Sequence, residues 1–175
     1  MSLLIDGYNL LHASGVFASG EGPPTLERSR LALLDFLAER LEAKLQPRTM
    51  VVFDGAHAPP GLISQMKHGA LNVQFSRRGA SADELLEELI DAEPDPRHLL
   101  VVSSDHRIQR AARQRGANFI DSETWCAELT RLARHQEETS HPSLSDKEAA
   151  SLANPFPPDY GLDLLRPTKR SEGER

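Results

Sequence analysis

Three aspartates in this chain end short apolar strand-like runs: Asp6 in LLIDG, Asp54 in VVFDG and, after two serines, Asp105 in LLVVSSD. A fourth, Asp83, follows LNVQF through the short connection SRRGASAD, and Glu87 lies one helical turn beyond it. On a helix that spacing puts Asp83 and Glu87 on one face. Carboxylates gathered together repel, and some of them take up protons unless a cation sits among them. Oxygen ligands of this kind suit Mg²⁺ or Mn²⁺, hard ions that keep several waters and bind substrate phosphates. The chemistry such a cluster serves is hydrolysis of a phosphodiester, with water activated and charge stabilised on the phosphorus oxygens.

For the acids to meet, the apolar runs must be neighbouring strands that end on one edge. Leu3–Ile5, Met50–Phe53, Leu71–Phe75, Leu99–Val102 and, more weakly, Ala117–Ile120 read as buried strands. Helical patterns lie between them. Residues 25–45 space their leucines three or four apart, with Thr25 as a cap and Pro47 as a stop signal. Residues 82–91 form a second helix, opened by a capping box over Ser81-Ala82-Asp83-Glu84. Residues 105–115, ended by Gly116, and 122–135 form two more. This alternation predicts a three-layer α/β/α sandwich around a mostly parallel sheet of about five strands. Sites in such sheets form at the carboxyl ends of strands, where the strand order reverses. The segment 55–70, rich in Gly and Pro and carrying Lys67 and His68, reads as a mobile loop with room for one helical turn.

Each acid also has a structural job open to it. Asp105 heads a helix as an N-cap, Asp83 sits where the helix dipole favours a carboxylate, and Asp54-Gly55 is an ordinary turn pair. Capping does not require the acids to share a sheet edge, so Asp6, Asp54, Asp83, Asp105 and Glu87 stand as candidate ligands of one ion. Among their neighbours, Asn9 is placed to orient a ligand or phosphate, Tyr8 to stack a base, and Ser104 with Ser103 to meet phosphate oxygens. Turn, core and bridging roles compete for each. Arg77, Arg78, Lys67 and Arg107 are candidates for flanking phosphates, which would give salt-sensitive affinity. Cys126, beside Trp125, reads as core.

The 175 residues suffice for one domain, and 39% hydrophobic with 26% charged residues describes a soluble globular chain. One cysteine excludes an internal disulfide and a multi-cysteine zinc site, and favours a reducing, cytoplasmic setting. No stretch approaches the roughly 18 apolar residues of a membrane span, so no membrane partner is expected. A net charge of −6 argues against binding nucleic acid through an overall basic surface. A phosphate-bearing partner must meet a local basic patch or a bound cation. The compact domain is expected over 1–137. Beyond it, residues 138–175 hold five of the 12 prolines and a cluster around Phe156 and Tyr160, and read as a partly disordered or docking tail.

IDGYNLLHA, VVFDG, SADELLEELI and VVSSDHRIQRAARQRGA, in that order, resemble the NYN domain family in its bacterial YacP-like branch, over about residues 2–135. The resemblance implies a PIN-like fold and a metal-dependent endoribonuclease that cuts single-stranded RNA to leave a 5′ phosphate. It carries the family's acidic catalytic and metal-holding site onto Asp6, Asp83 and Asp105, with Asn9 and Asp54 also at motif positions. Glu87 comes from helical geometry alone. RNA in preference to DNA comes from the resemblance alone, and mRNA presented on a ribosome is among the candidate forms. Two other classes remain: an RNA-binding module without turnover, and a small-molecule phosphohydrolase. The second would want an aspartate two positions after Asp6, where Tyr8 stands.

Overall fold

In the computed structural model, which describes residues 1–15, 25–57, 64–77 and 79–139, six strands form one sheet. They are β1 (Ser2–Asp6), β2 (Thr49–Phe53), β3 (Gln65–His68), β4 (Leu71–Phe75), β5 (Leu99–Val102) and β6 (Asn118–Ile120). Their order across the sheet is β3-β4-β2-β1-β5-β6, and every pairing is parallel except β3 against β4. The helices are α1 (Gly7–Ser14), α2 (Leu26–Arg40), α3 (Ala82–Ala92), α4 (His106–Arg115) and α5 (Ser122–Thr139).

The central strands are apolar throughout because both of their faces are covered. Leu3, Ile5, Val51, Phe53, Leu100 and Val102 pack with Leu10, Leu33, Leu37 and Trp125 on one side. Leu4, Val52, Leu99 and Val101 pack with Leu86, Ile90, Ile108 and Ala112 on the other. Successive strand residues thus alternate between two cores, which makes the three layers. The chain lays down β1, β2 and β4 toward one side, then adds β5 and β6 on the other side of β1. Strand order therefore reverses beside β1, and the crevice belongs at the carboxyl ends of β1 and β5.

Several expectations shift. The sheet has six strands where about five were expected, because β3 consists of exposed or half-exposed residues that carry no apolar signal. The segment 55–70 is consequently not one loop. A 3₁₀ turn at Gly55–His57 and strand β3 occupy part of it, and Lys67 and His68 lie on that strand. Charged residues on an edge strand also discourage pairing with other chains. Helix α1 escaped the periodicity because only Gly7, Leu10 and Leu11 are buried along it. Helix α2 ends at Arg40, short of the leucine pattern. There the Gln46 amide donates to the Ala38 and Leu41 carbonyls at 2.8 and 3.0 Å, closing the turn with a side chain. The Thr25 cap and the Ser81–Glu84 capping box form as expected. The tail and its aromatic cluster lie outside the described residues.

Candidate active site

Asp6 closes β1 and opens α1. Its Oδ1 accepts the Asn9 N–H at 3.1 Å as an N-cap, and its Oδ2 accepts the Ser103 hydroxyl at 3.1 Å. The same Ser103 oxygen accepts the Asp105 N–H at 3.1 Å. Asp105 in turn caps α4, its Oδ1 accepting the Arg107 N–H at 2.6 Å. Asn9 adds a second tie, accepting the Ser104 N–H at 2.9 Å on its side-chain oxygen. The capping role open to Asp105 is real, and it uses one carboxylate oxygen at the crevice itself.

Close backbone approach, more than turn freedom, explains the two Asp-Gly pairs. A Cβ on Gly7 would lie 2.4 Å from the Phe53 ring, and one on Gly55 would lie 1.9 Å from the Ser76 carbonyl oxygen. The Gly55 N–H also takes a hydrogen bond to the Ser76 hydroxyl at 2.9 Å. These contacts lock the ends of β1, β2 and β4 together, directly beside the acids.

The acids feel one another. Burial pushes the Asp6 carboxyl above its ordinary range; the Asn9 and Ser103 hydrogen bonds oppose this, and the charges of Asp83 and Asp105 add to it. Asp83, on the first turn of α3, is likewise raised, first by burial and then by Asp105. Arg107 works against that rise, while Glu87 and Asp54 reinforce it. Neighbouring negative charges that add to the rise of Asp6 and of Asp83 place these carboxyls in one electrostatic site.

Arg107 reaches into this site from α4. Its Nε and Nη2 donate to the two oxygens of Glu87 at 2.8 and 2.7 Å, and its Nη1 stands 3.8 Å from Asp83 Oδ2. That guanidinium holds the Glu87 carboxyl below its ordinary range.

The remaining candidates divide. Asp54 makes a local turn, accepting the Ala56 N–H at 2.7 Å, while its charge still reaches Asp83. The Tyr8 hydroxyl accepts from Arg30 at 2.9 Å and its ring packs edge-on against Phe53, so it is built into the wall of the domain. Ser104 gives its hydroxyl to Glu123 and accepts the Ser122 N–H at 3.0 Å, joining the crevice to α5. Arg77 is exposed just past the carboxyl end of β4, and Arg78 lies outside the described residues. Lys67 pairs with Asn72, toward the amino end of β4 and away from the acid edge. Trp125 and Cys126 are core, and burial raises the Cys126 thiol. Ser103 and Glu123 are the site residues that motif reasoning undervalued, because a buried serine or a first-turn glutamate has no spacing signature.

Among the described residues, no three His, Cys, Asp or Glu side chains form a ready-made ion cage. The donor set nonetheless suits a hard cation. Asp6, Asp83 and Asp105 offer carboxylate oxygens whose mutual repulsion a divalent ion would relieve, and Mg²⁺ is ordinarily held through one or two carboxylates with its waters retained. Among the described residues no helix is long and apolar enough to cross a membrane.

A mostly parallel sheet with an acidic crevice at its switch point, together with the matches that follow, defines the class: a PIN-like, nuclease-type α/β domain. The chain belongs to the YacP-like NYN domain family, whose model matches residues 3–159. It is 28% identical over 152 residues to YacP of Bacillus subtilis (strain 168), covering 86% of this chain and 88% of that one. The crystal structure of Rae1 (YacP) from Bacillus subtilis matches with a TM-score of 0.62 at 25% identity, over 87% of each chain. A tryptophan-to-leucine mutant of Rae1 gives 0.60 at 23% identity, over 94% of this chain and 98% of that one.

Proposed function

We propose that this protein is a metal-dependent endoribonuclease that hydrolyses phosphodiester bonds of single-stranded RNA. The observation that supports this reading is geometric: Ser103 joins the Asp6 carboxylate to the Asp105 N–H, and Arg107, whose N–H Asp105 caps, stands 3.8 Å from Asp83, so acids from three separate elements meet at the crevice beside β1. Asp6, Asp83 and Asp105 would hold Mg²⁺ or Mn²⁺, which when bound supplies an activated water and stabilises charge on the phosphorus oxygens. The chain's own residues do the positioning. Ser103 fixes Asp6 and the start of α4 relative to each other, Asn9 ties α1 to the segment after β5, and burial of Asp6 keeps bulk water from screening the charges. RNA in preference to DNA is the expectation attached to family membership, with mRNA on a ribosome among the candidate forms. One cysteine in the whole sequence fits a reducing cytoplasm.

The test is to incubate the purified protein with end-labelled RNA and DNA oligomers across a panel of divalent ions and a chelator. Cleavage of single-stranded RNA with Mn²⁺ or Mg²⁺, abolished by the chelator and leaving 5′ phosphates, is the expected result. RNA bound without turnover would instead make the protein a binding module. Hydrolysis of small phosphate esters alone would make it a phosphohydrolase.

A further inference from the structure

Glu87 shares a helical face with Asp83, which suggests another ligand for the ion. Its side chain has a different engagement. Both oxygens are gripped by Arg107, through Nε and Nη2, in the side-on bidentate arrangement. A guanidinium carries five N–H donors in one plane. Glu87 takes two of them along one edge, which leaves the end-on edge of Nη1 and Nη2 with an outward N–H on each nitrogen. Nη1 is the atom that stands 3.8 Å from Asp83. Among the described residues, that end-on edge makes no hydrogen bond, and its Nη1 end borders the acid cluster through the 3.8 Å ion pair with Asp83, with spacing that matches two oxygens of a phosphate.

Two of the other arginines of α4 are engaged elsewhere, while Arg110 is exposed one turn further on. Arg113 lies over the Phe119 ring at 5.1 Å, and Arg115 donates to the Asp91 and Glu93 carbonyls at 3.2 Å, closing the end of α3. Those two arginines serve packing. Arg107 stands on the first turn, two residues after the Asp105 cap, and its side chain is half exposed, so a substrate can reach it.

We infer that Glu87 is a positioning residue: it holds Arg107 so that the free guanidinium edge grips an RNA phosphate beside the acids, and it is not itself a ligand of the ion. This rests on the nuclease reading for the identity of the polymer, and deepens it by naming the group that receives the backbone.

The test uses the full chain and the variants Arg107→Ala, Arg107→Lys, Glu87→Gln and Glu87→Ala. Binding of a fluorescent single-stranded RNA is measured in chelator across a range of salt, and cleavage is measured across a range of Mn²⁺. Arg107→Ala should weaken binding about tenfold and flatten the salt dependence by roughly 0.7, the loss of one phosphate contact on a single strand. Arg107→Lys should recover the salt slope and little of the affinity, since a point charge lacks the planar fork. Glu87→Gln removes a negative charge, so simple electrostatics requires tighter RNA binding; positioning requires weaker binding, about threefold. In cleavage, Arg107→Ala and Glu87→Gln should raise KM with kcat little changed, at the same half-saturating Mn²⁺. Melting temperatures should stay within about 2 °C, as for an exposed pair.

Tighter RNA binding by Glu87→Gln would overturn the inference. So would a higher Mn²⁺ requirement in that variant, which would make Glu87 a ligand. Unchanged affinity and slope in Arg107→Ala would reduce the pair to a surface ion pair. If the unaltered protein cleaves nothing, the nuclease reading fails, and the binding measurements still decide the role of the pair.

Discussion

Ser103 donates its hydroxyl to Oδ2 of Asp6 at 3.1 Å, joining two residues 97 positions apart in the chain. Its oxygen also accepts the Asp105 N–H, so one fully buried serine sets the relation between two of the acids. Ser103→Ala should leave a buried carboxylate short of a donor, costing roughly 1–3 kcal/mol in urea unfolding. It should also lower RNA cleavage at least about tenfold, since the acids lose their mutual alignment. Unchanged unfolding would show that the hydroxyl contributes nothing to holding Asp6.

Asp105 combines a cap with a place in the site, and the two are separable. Asparagine caps helices as well as aspartate does, so Asp105→Asn should stay within about 0.5 kcal/mol of the unaltered protein in stability. Its Mn²⁺-dependent cleavage should fall by roughly a hundredfold or more. Full activity in this variant, with normal ion affinity, would remove Asp105 from the site.

The buried Asp6 carboxyl gives a pH dependence with a definite sign. Burial raises its pKa in the folded protein above the value it has in the unfolded chain. Between those two values the folded protein keeps a proton that the unfolded chain has lost, so stability falls as pH rises through the window. Asp6→Asn cannot ionise and escapes that loss. In chelator it should melt a few degrees above the unaltered protein at neutral pH, with the gap closing below about pH 4. Thermal melts across pH would show a gap that fails to close if the stabilisation has another origin.

Gly7 is pressed against Phe53, which is itself held between the rings of Tyr8 at 5.1 Å and Phe75 at 5.7 Å. The ring has nowhere to swing. Gly7→Ala should therefore cost roughly 1–3 kcal/mol, seen as a lower denaturant midpoint at unchanged slope. Because Gly7 directly follows Asp6, activity should fall with it. A neutral Gly7→Ala would mean that the junction of β1 and α1 yields easily.

Much of this arrangement could be read from the residues. The buried strands are legible because parallel strands covered on both faces must be apolar throughout, and Asp6, Asp54 and Asp105 are legible because they stand at or just past the ends of such runs, with Asp83 found through the helix that follows one. Thr25 and Ser81 announced their helices through caps. What escaped was structure with no apolar signature: β3 is exposed or half-exposed along its length, and α1 buries three residues only. Lys67 was misplaced for that reason, since reading its segment as a loop hid the register that carries it toward the opposite edge. Ser103 and the partnership of Arg107 with Glu87 are contacts between distant parts of the chain, and no spacing along one segment encodes them.

The strand order has a consequence for how the protein is made. Asp6 sits on the first strand, yet its hydroxyl donor and two companion carboxylates arrive only after the whole outer half of the sheet has been threaded. An incomplete chain emerging during synthesis therefore lacks the assembled centre until Ser103 and Asp105 have been made.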